Sequence, residues 1–68
     1  MKKSELMELV GKKVKVTFKD GSADNIGILK YVDEFSEKYN FRRLGYFYIE
    51  GYCLSFKVSH TKKVEVLG

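Results

Sequence analysis

The stretch "KYNFRR", Lys38 to Arg43, interleaves three cations with two aromatic rings and an amide. Guanidinium and ammonium groups hold phosphate, and aromatic faces stack on unpaired bases, so Lys38, Tyr39, Phe41, Arg42 and Arg43 together fit recognition of single-stranded RNA. The same rings equally serve to anchor a loop to the body beneath it. A second basic stretch is "KKVKVTFK", where Lys13, Lys15 and Lys19 share one side of an alternating pattern with Lys12 nearby. Such a row can track a phosphate backbone, releasing counterions at each contact. It can also be a solvated face whose lysines guard a strand against aggregation.

Other reactive types are sparse. Cys53 and His60 are the only cysteine and histidine, and a structural zinc site needs about four such ligands. Neither a metal nor another cofactor is expected. Cys53 reads as a small core residue and His60 as a connector residue that satisfies local backbone groups. There is no glycine-rich phosphate loop, no informative Cys-His spacing and no carboxylate pair in a catalytic motif, so the chain is not expected to be an enzyme. Tyr31, Tyr46, Tyr48 and Tyr52 fit either a platform for stacking or peptide docking, or a core and a subunit interface.

Charge is distributed unevenly. The formal net charge is +4, but Met1 to Asp20 carries +3, Gly21 to Glu37 carries −3, and Lys38 to Gly45 carries +3. Two basic clusters therefore flank an acidic one, which favours anionic partners without naming them. No segment reads as a signal peptide, and no apolar run approaches the ~20 residues of a membrane span. A cytoplasmic protein with no membrane contact is the expectation, and the lone cysteine suits a reducing compartment.

These side chains need a frame to hold them. Sixty-eight residues make one small domain, whose core is marginal without disulfides. Leu6, Leu9 and Val10 recur at helical spacing after Ser4, a good N-cap, and Gly11 supplies a stop; a helix over about 4–10 follows. In the strand over about 13–19, Val14, Val16 and Phe18 point one way and lysines the other. Asp20-Gly21 signals a hairpin turn. The next strand covers about 23–32, with Gly27 marking a bend or a close backbone approach. Asp33 to Gly45 reads as a long loop, of a length that is usually functional or mobile. Three short strands follow, over about 46–49, 52–58 and 63–67, the last with Val64 and Val66 inward. Glu50-Gly51 reads either as a turn or as a bulge in one continuous strand.

The run "ELVGKKVKVTFKDGSADNIGILKYVDEF" resembles the Sm-like (Lsm) family. It has an apolar helix end, a Gly-Lys, an alternating strand, a "KDG" turn, a strand glycine at Gly27 and a loop aspartate at Asp33. The resemblance implies a mainly β fold, a small five-stranded antiparallel SH3-like barrel with a short N-terminal α-helix, filling residues 1–68. It also implies RNA binding, with Asp33 and Asn40 bonding base edges, and a homo-oligomer that pairs exposed edge strands. Glu37 stands where the family places an asparagine, and "FKVSHTKKVEVL" replaces its Ile-Arg-Gly signature. That ending, with "YFYIEGYC" before it, is similar to the WYL type of Sm-like domain. This second resemblance implies a protein-interaction or ligand-sensing module that takes a peptide, a partner domain or a small ligand, with no nucleic-acid binding.

Overall fold

The alternation of lysines and aliphatics becomes strand β1 (Lys13–Phe18), with Val14, Val16 and Phe18 buried and Lys13 exposed. The computed structural model describes residues 2–68. Around β1 lie α1 (Lys3–Glu8), β2 (Asn25–Tyr31), β3 (Phe47–Ile49), β4 (Ser55–Phe56) and β5 (Thr61–Val66). One antiparallel sheet runs in the order β4-β3-β2-β1-β5. The fold is mainly β, with five strands and one short helix.

Between β1 and β2, Ser22 N donates to Asp20 Oδ1 at 2.9 Å, and Gly21 takes φ +82°. The ladder pairs Val14 with Gly27 and Val16 with Asn25, the register of a turn centred on Asp20-Gly21. Gly27 faces the core, where an added Cβ would lie 2.8 Å from Ile49 Cγ2. The strand glycine thus makes room for Ile49, a close approach rather than a loose end.

The sheet is strongly curled. Two strands separate β1 from β4, so a flat sheet would hold them about 14 Å apart. Instead the rings of Phe18 and Phe56 meet edge to face at 5.2 Å. Leu6, Leu29, Phe47 and Ile49 complete the core with Val14 and Val16. Among the described residues no ladder joins β4 to β5, so the sheet keeps two free edges and is not closed as a hydrogen-bonded barrel. A 3-10 turn at Val58–His60 bridges that gap, and Lys19 N donates to His60 O at 3.0 Å.

Several expected boundaries shift. The helix starts at Lys3 with Lys2 as its N-cap, so Ser4 lies inside it and caps nothing. Leu6 alone of its stripe is fully buried, which contributes about 1.5–3 kcal/mol. Glu50-Gly51 is a turn, with Gly51 at φ +92° and Tyr52 N donating to Ile49 O at 3.0 Å. The strand expected over 52–58 shrinks to β4, because the carbonyls of Tyr52 and Cys53 accept from Arg42 instead of a neighbouring strand. Cys53 is exposed on this stretch and not in the core. The last strand begins earlier than expected, since Thr61 pairs with Phe18 across a register shift. Val66 pairs opposite Val14, yet it sits on the free edge and is exposed; Val64 packs against the core.

Candidate anion-binding groove

The loop between β2 and β3 positions most of the residues singled out above. Its neck is closed by Val32 N donating to Tyr46 O and Gly45 N donating to Val32 O, each at 2.9 Å. Within it the Tyr39 hydroxyl donates to Asp33 Oδ1 at 2.7 Å, and the Tyr39 ring is buried. This hydrogen bond, which the neutral hydroxyl donates, pushes the Tyr39 pKa up. Lys38 Nζ lies 5.0 Å from the centre of the same ring. Asn40 and Phe41 both adopt left-handed backbone, at φ 56° and 55°. Phe41 is exposed and rests on exposed Phe35, ring centres 5.5 Å apart.

Arg42 and Arg43 diverge. Arg42 lies 4.3 Å over the Tyr48 ring and donates at 2.9 Å to both Tyr52 O and Cys53 O. It ties the loop to the segment before β4, a task that suits the planar guanidinium fork. Arg43 turns to the other side. Its guanidinium carbon lies 5.6 Å from the Tyr46 ring centre, and its Nη1 makes a long 3.5 Å bond to the Tyr46 hydroxyl. Lys57, entering the 3-10 turn before β5, places Nζ 5.1 Å from that same ring centre.

Arg43, Tyr46 and Lys57 line a groove of about 500 Å³ that also includes Lys3 from α1, Leu44 and Ser59. Three cations line it, and no carboxylate does among the described residues. Tyr46 registers two of them: the Arg43 hydrogen bond first, then the Lys57 charge, lowers its hydroxyl pKa against the opposing effect of burial. Lys3, Tyr46 and Lys57 were not singled out as phosphate ligands by the sequence. The one signal in the sequence is that no acid lies between Glu50 and Glu65, the stretch that holds Lys57.

The remaining sequence candidates lie elsewhere. Lys13 is exposed, and Lys15 pairs with Asp24 at 3.6 Å, the one ion pair among the described residues. On β5, Glu65 sits opposite Lys15, so the outer face of β1 is electrostatically mixed. Lys19 borders a separate hollow of about 350 Å³ with Asp20 and His60. A third hollow mixes Lys30 and Lys38 with Asp33 and Glu50. Of the nine expected contact residues, only Arg43 lines the basic groove. The tyrosines form no single platform: Tyr31 packs on Phe47, Tyr48 lies beneath Arg42, and the Tyr52 hydroxyl accepts from Ile26 N.

Among the described residues, no three His, Cys, Asp or Glu side chains are grouped as metal ligands would be, and no helix is long and apolar enough to cross a membrane. No protein-family model, curated protein or solved structure matches the chain.

Proposed function

We propose that this chain is an Sm-like domain of the cytoplasm that binds single-stranded RNA, with the groove at Lys3, Arg43 and Lys57 as its phosphate site. The observation that carries the reading is three cations around one concave surface without a lining carboxylate among the described residues. Electrostatic attraction of this kind is sequence-independent, so phosphate and not a particular base supplies most of the affinity. Exposed Phe41, on the same loop, supplies an aromatic face for a base. Lys13, Lys15 and Lys19 act as auxiliary attraction, weakened where Asp24 and Glu65 lie near Lys15. Asp33 and Tyr39 hold the loop in shape for that contact. The free edges of β4 and β5 are complementary in kind, and homo-oligomer formation through them is part of the proposal.

The test is a fluorescent oligo-uridine titration at low salt against native protein and Lys57→Ala. Saturable binding that weakens in the variant is expected. A flat titration up to high micromolar protein rejects the reading.

A second reading, a protein-interaction module without nucleic-acid binding, is favoured by one observation. Phe35 and Phe41 are 67% and 58% exposed yet packed together, and paired exposed aromatics are common interface anchors. Under that reading the oligo-uridine titration is flat and Phe41→Ala abolishes partner binding.

A further inference from the structure

The groove is built to read charge more than base identity. Among the described residues, Tyr46 and Phe47 are the aromatic rings lining it, and Phe47 is buried. The Tyr46 ring is already engaged by two cations, Arg43 at 5.6 Å and Lys57 at 5.1 Å from its centre. A ring occupied in this way is a spacer that holds two like charges near one another. It is a poor platform for a base. Leu44, exposed on the rim, and half-buried Val58 are the apolar surfaces left for a sugar or base edge.

Charge count then separates two kinds of phosphate. An internal phosphodiester carries one negative charge. A terminal phosphate monoester carries about −1.5 to −2 at neutral pH and three free oxygens. Lys3, Arg43 and Lys57 come from three separate segments to one groove, with no ion pair to any of them among the described residues. Lys3 Nζ lies 5.4 Å from the centre of the Tyr31 ring, which does not line the groove, so Arg43 and Lys57 are the two cations gathered on Tyr46. Two cations exceed what one diester neutralises and match one monoester, with Lys3 left for a neighbouring diester. The guanidinium fork of Arg43 suits two oxygens of one phosphate, and each ammonium can take a third or the next phosphate. The groove volume of about 500 Å³ also falls within the range of sites for small ligands, about 300–1,000 Å³.

We infer that the groove formed by Lys3, Arg43 and Lys57 around Tyr46 captures the terminal phosphate monoester of a single-stranded RNA, so that this domain recognises strand ends. The inference rests on the RNA-binding reading above and adds the chemical group recognised.

The test compares short oligo-uridines in two matched pairs by fluorescence anisotropy with native protein. One pair is labelled at the 3′ end and differs in a 5′-phosphate or 5′-hydroxyl. The other is labelled at the 5′ end and differs in a 3′-phosphate or 3′-hydroxyl. In one pair the phosphorylated strand should bind about tenfold tighter or more, the worth of one added charge-assisted hydrogen bond. Lys57→Gln and Arg43→Gln should erase that gain, with the fold checked by far-ultraviolet circular dichroism. Independently of any variant, inorganic phosphate added to native protein should shift the amide resonances of Gly45, Tyr46 and Ser59.

Equal affinities within both pairs overturn the inference while leaving RNA binding in place. A gain that survives both glutamine variants overturns the groove assignment, as do phosphate shifts confined to the Lys19–His60 hollow. Absence of binding by all four strands overturns the inference and the RNA reading together.

Discussion

The Tyr39 hydroxyl donates a 2.7 Å hydrogen bond to Asp33 Oδ1 across the loop between β2 and β3. Both residues have the chemistry to contact a base, and here they contact each other. The bond helps hold a segment in which Asn40 and Phe41 adopt consecutive left-handed conformations. Such backbone costs roughly 1–2 kcal/mol per non-glycine residue, so the loop needs closures of this kind to keep its shape.

Removing that closure should loosen the loop without unfolding the sheet. Tyr39→Phe and Asp33→Ala should each speed hydrogen exchange at Asn40 and Phe41, whose amides bond to Glu37 O and Ser36 O. Exchange in β1 should hardly change. The alkaline limb follows from the raised Tyr39 pKa, which comes first from its bond to Asp33. A raised pKa means that the native state holds this proton more tightly than the unfolded chain. The contribution is full below the ordinary tyrosine value of about 10 and is lost as pH rises through the folded value. Exchange that speeds up equally in β1 and the loop contradicts this assignment.

Gly27→Ala should be among the most damaging single-methyl changes in the chain. The new Cβ would lie 2.8 Å from Ile49 Cγ2, and Gly27 sits at φ +156°. Overpacking of this kind costs about 1–3 kcal/mol. Whole domains of this size have only about 3–10 kcal/mol of stability. Chemical denaturation should show a clear fall in midpoint, and Ile49→Ala in the same chain should show less than additive loss, because it removes the clashing group. A neutral Gly27→Ala variant refutes the packing around Ile49.

Adjacent arginines should give opposite phenotypes. Arg42 bonds Tyr52 O and Cys53 O, so Arg42→Ala should lower the thermal midpoint, and Arg42→Lys should not restore it, because an ammonium cannot fork to two carbonyls. Arg43 faces the groove and makes only a long contact to Tyr46. Arg43→Ala should leave the thermal midpoint nearly unchanged and weaken RNA binding. Identical effects of the two changes on stability and binding contradict the division of roles.

Much of the frame was legible in local pattern. The alternation of Val14, Val16 and Phe18 placed their faces correctly, and Asp20-Gly21 carried the register that sets Val14 opposite Gly27. The later strands were less legible, because edge pairing is decided by partners distant in sequence. Residues 52–54 have a strand-like composition, yet Arg42 takes the carbonyls of Tyr52 and Cys53. The groove was the least legible part. Lys3, Arg43 and Lys57 share no motif and meet only when the sheet curls. Nothing in "FRRL" says which arginine turns inward to clamp and which turns to the groove.

Tyrosine titration offers a direct probe of the groove's field. The Arg43 hydrogen bond and the Lys57 charge lower the Tyr46 pKa, whereas Asp33 raises that of Tyr39. Ultraviolet tyrosinate absorbance should therefore show an early component that Tyr46→Phe removes and a late one that Tyr39→Phe removes. Inorganic phosphate bound in the groove should move the early component back towards the ordinary range, since an anion offsets both cations. An early component that survives Tyr46→Phe contradicts the assignment.

The most direct measurement is the salt dependence of oligo-uridine binding by native protein and by Lys57→Ala. Three phosphate charges neutralised imply a slope of log K against log salt near −2, because each on a single strand contributes about −0.7. Loss of Lys57 should reduce the slope by about 0.7 and weaken binding at low salt. A slope near zero, or one identical in the two proteins, would show that the groove at Lys3, Arg43 and Lys57 does not hold the RNA backbone.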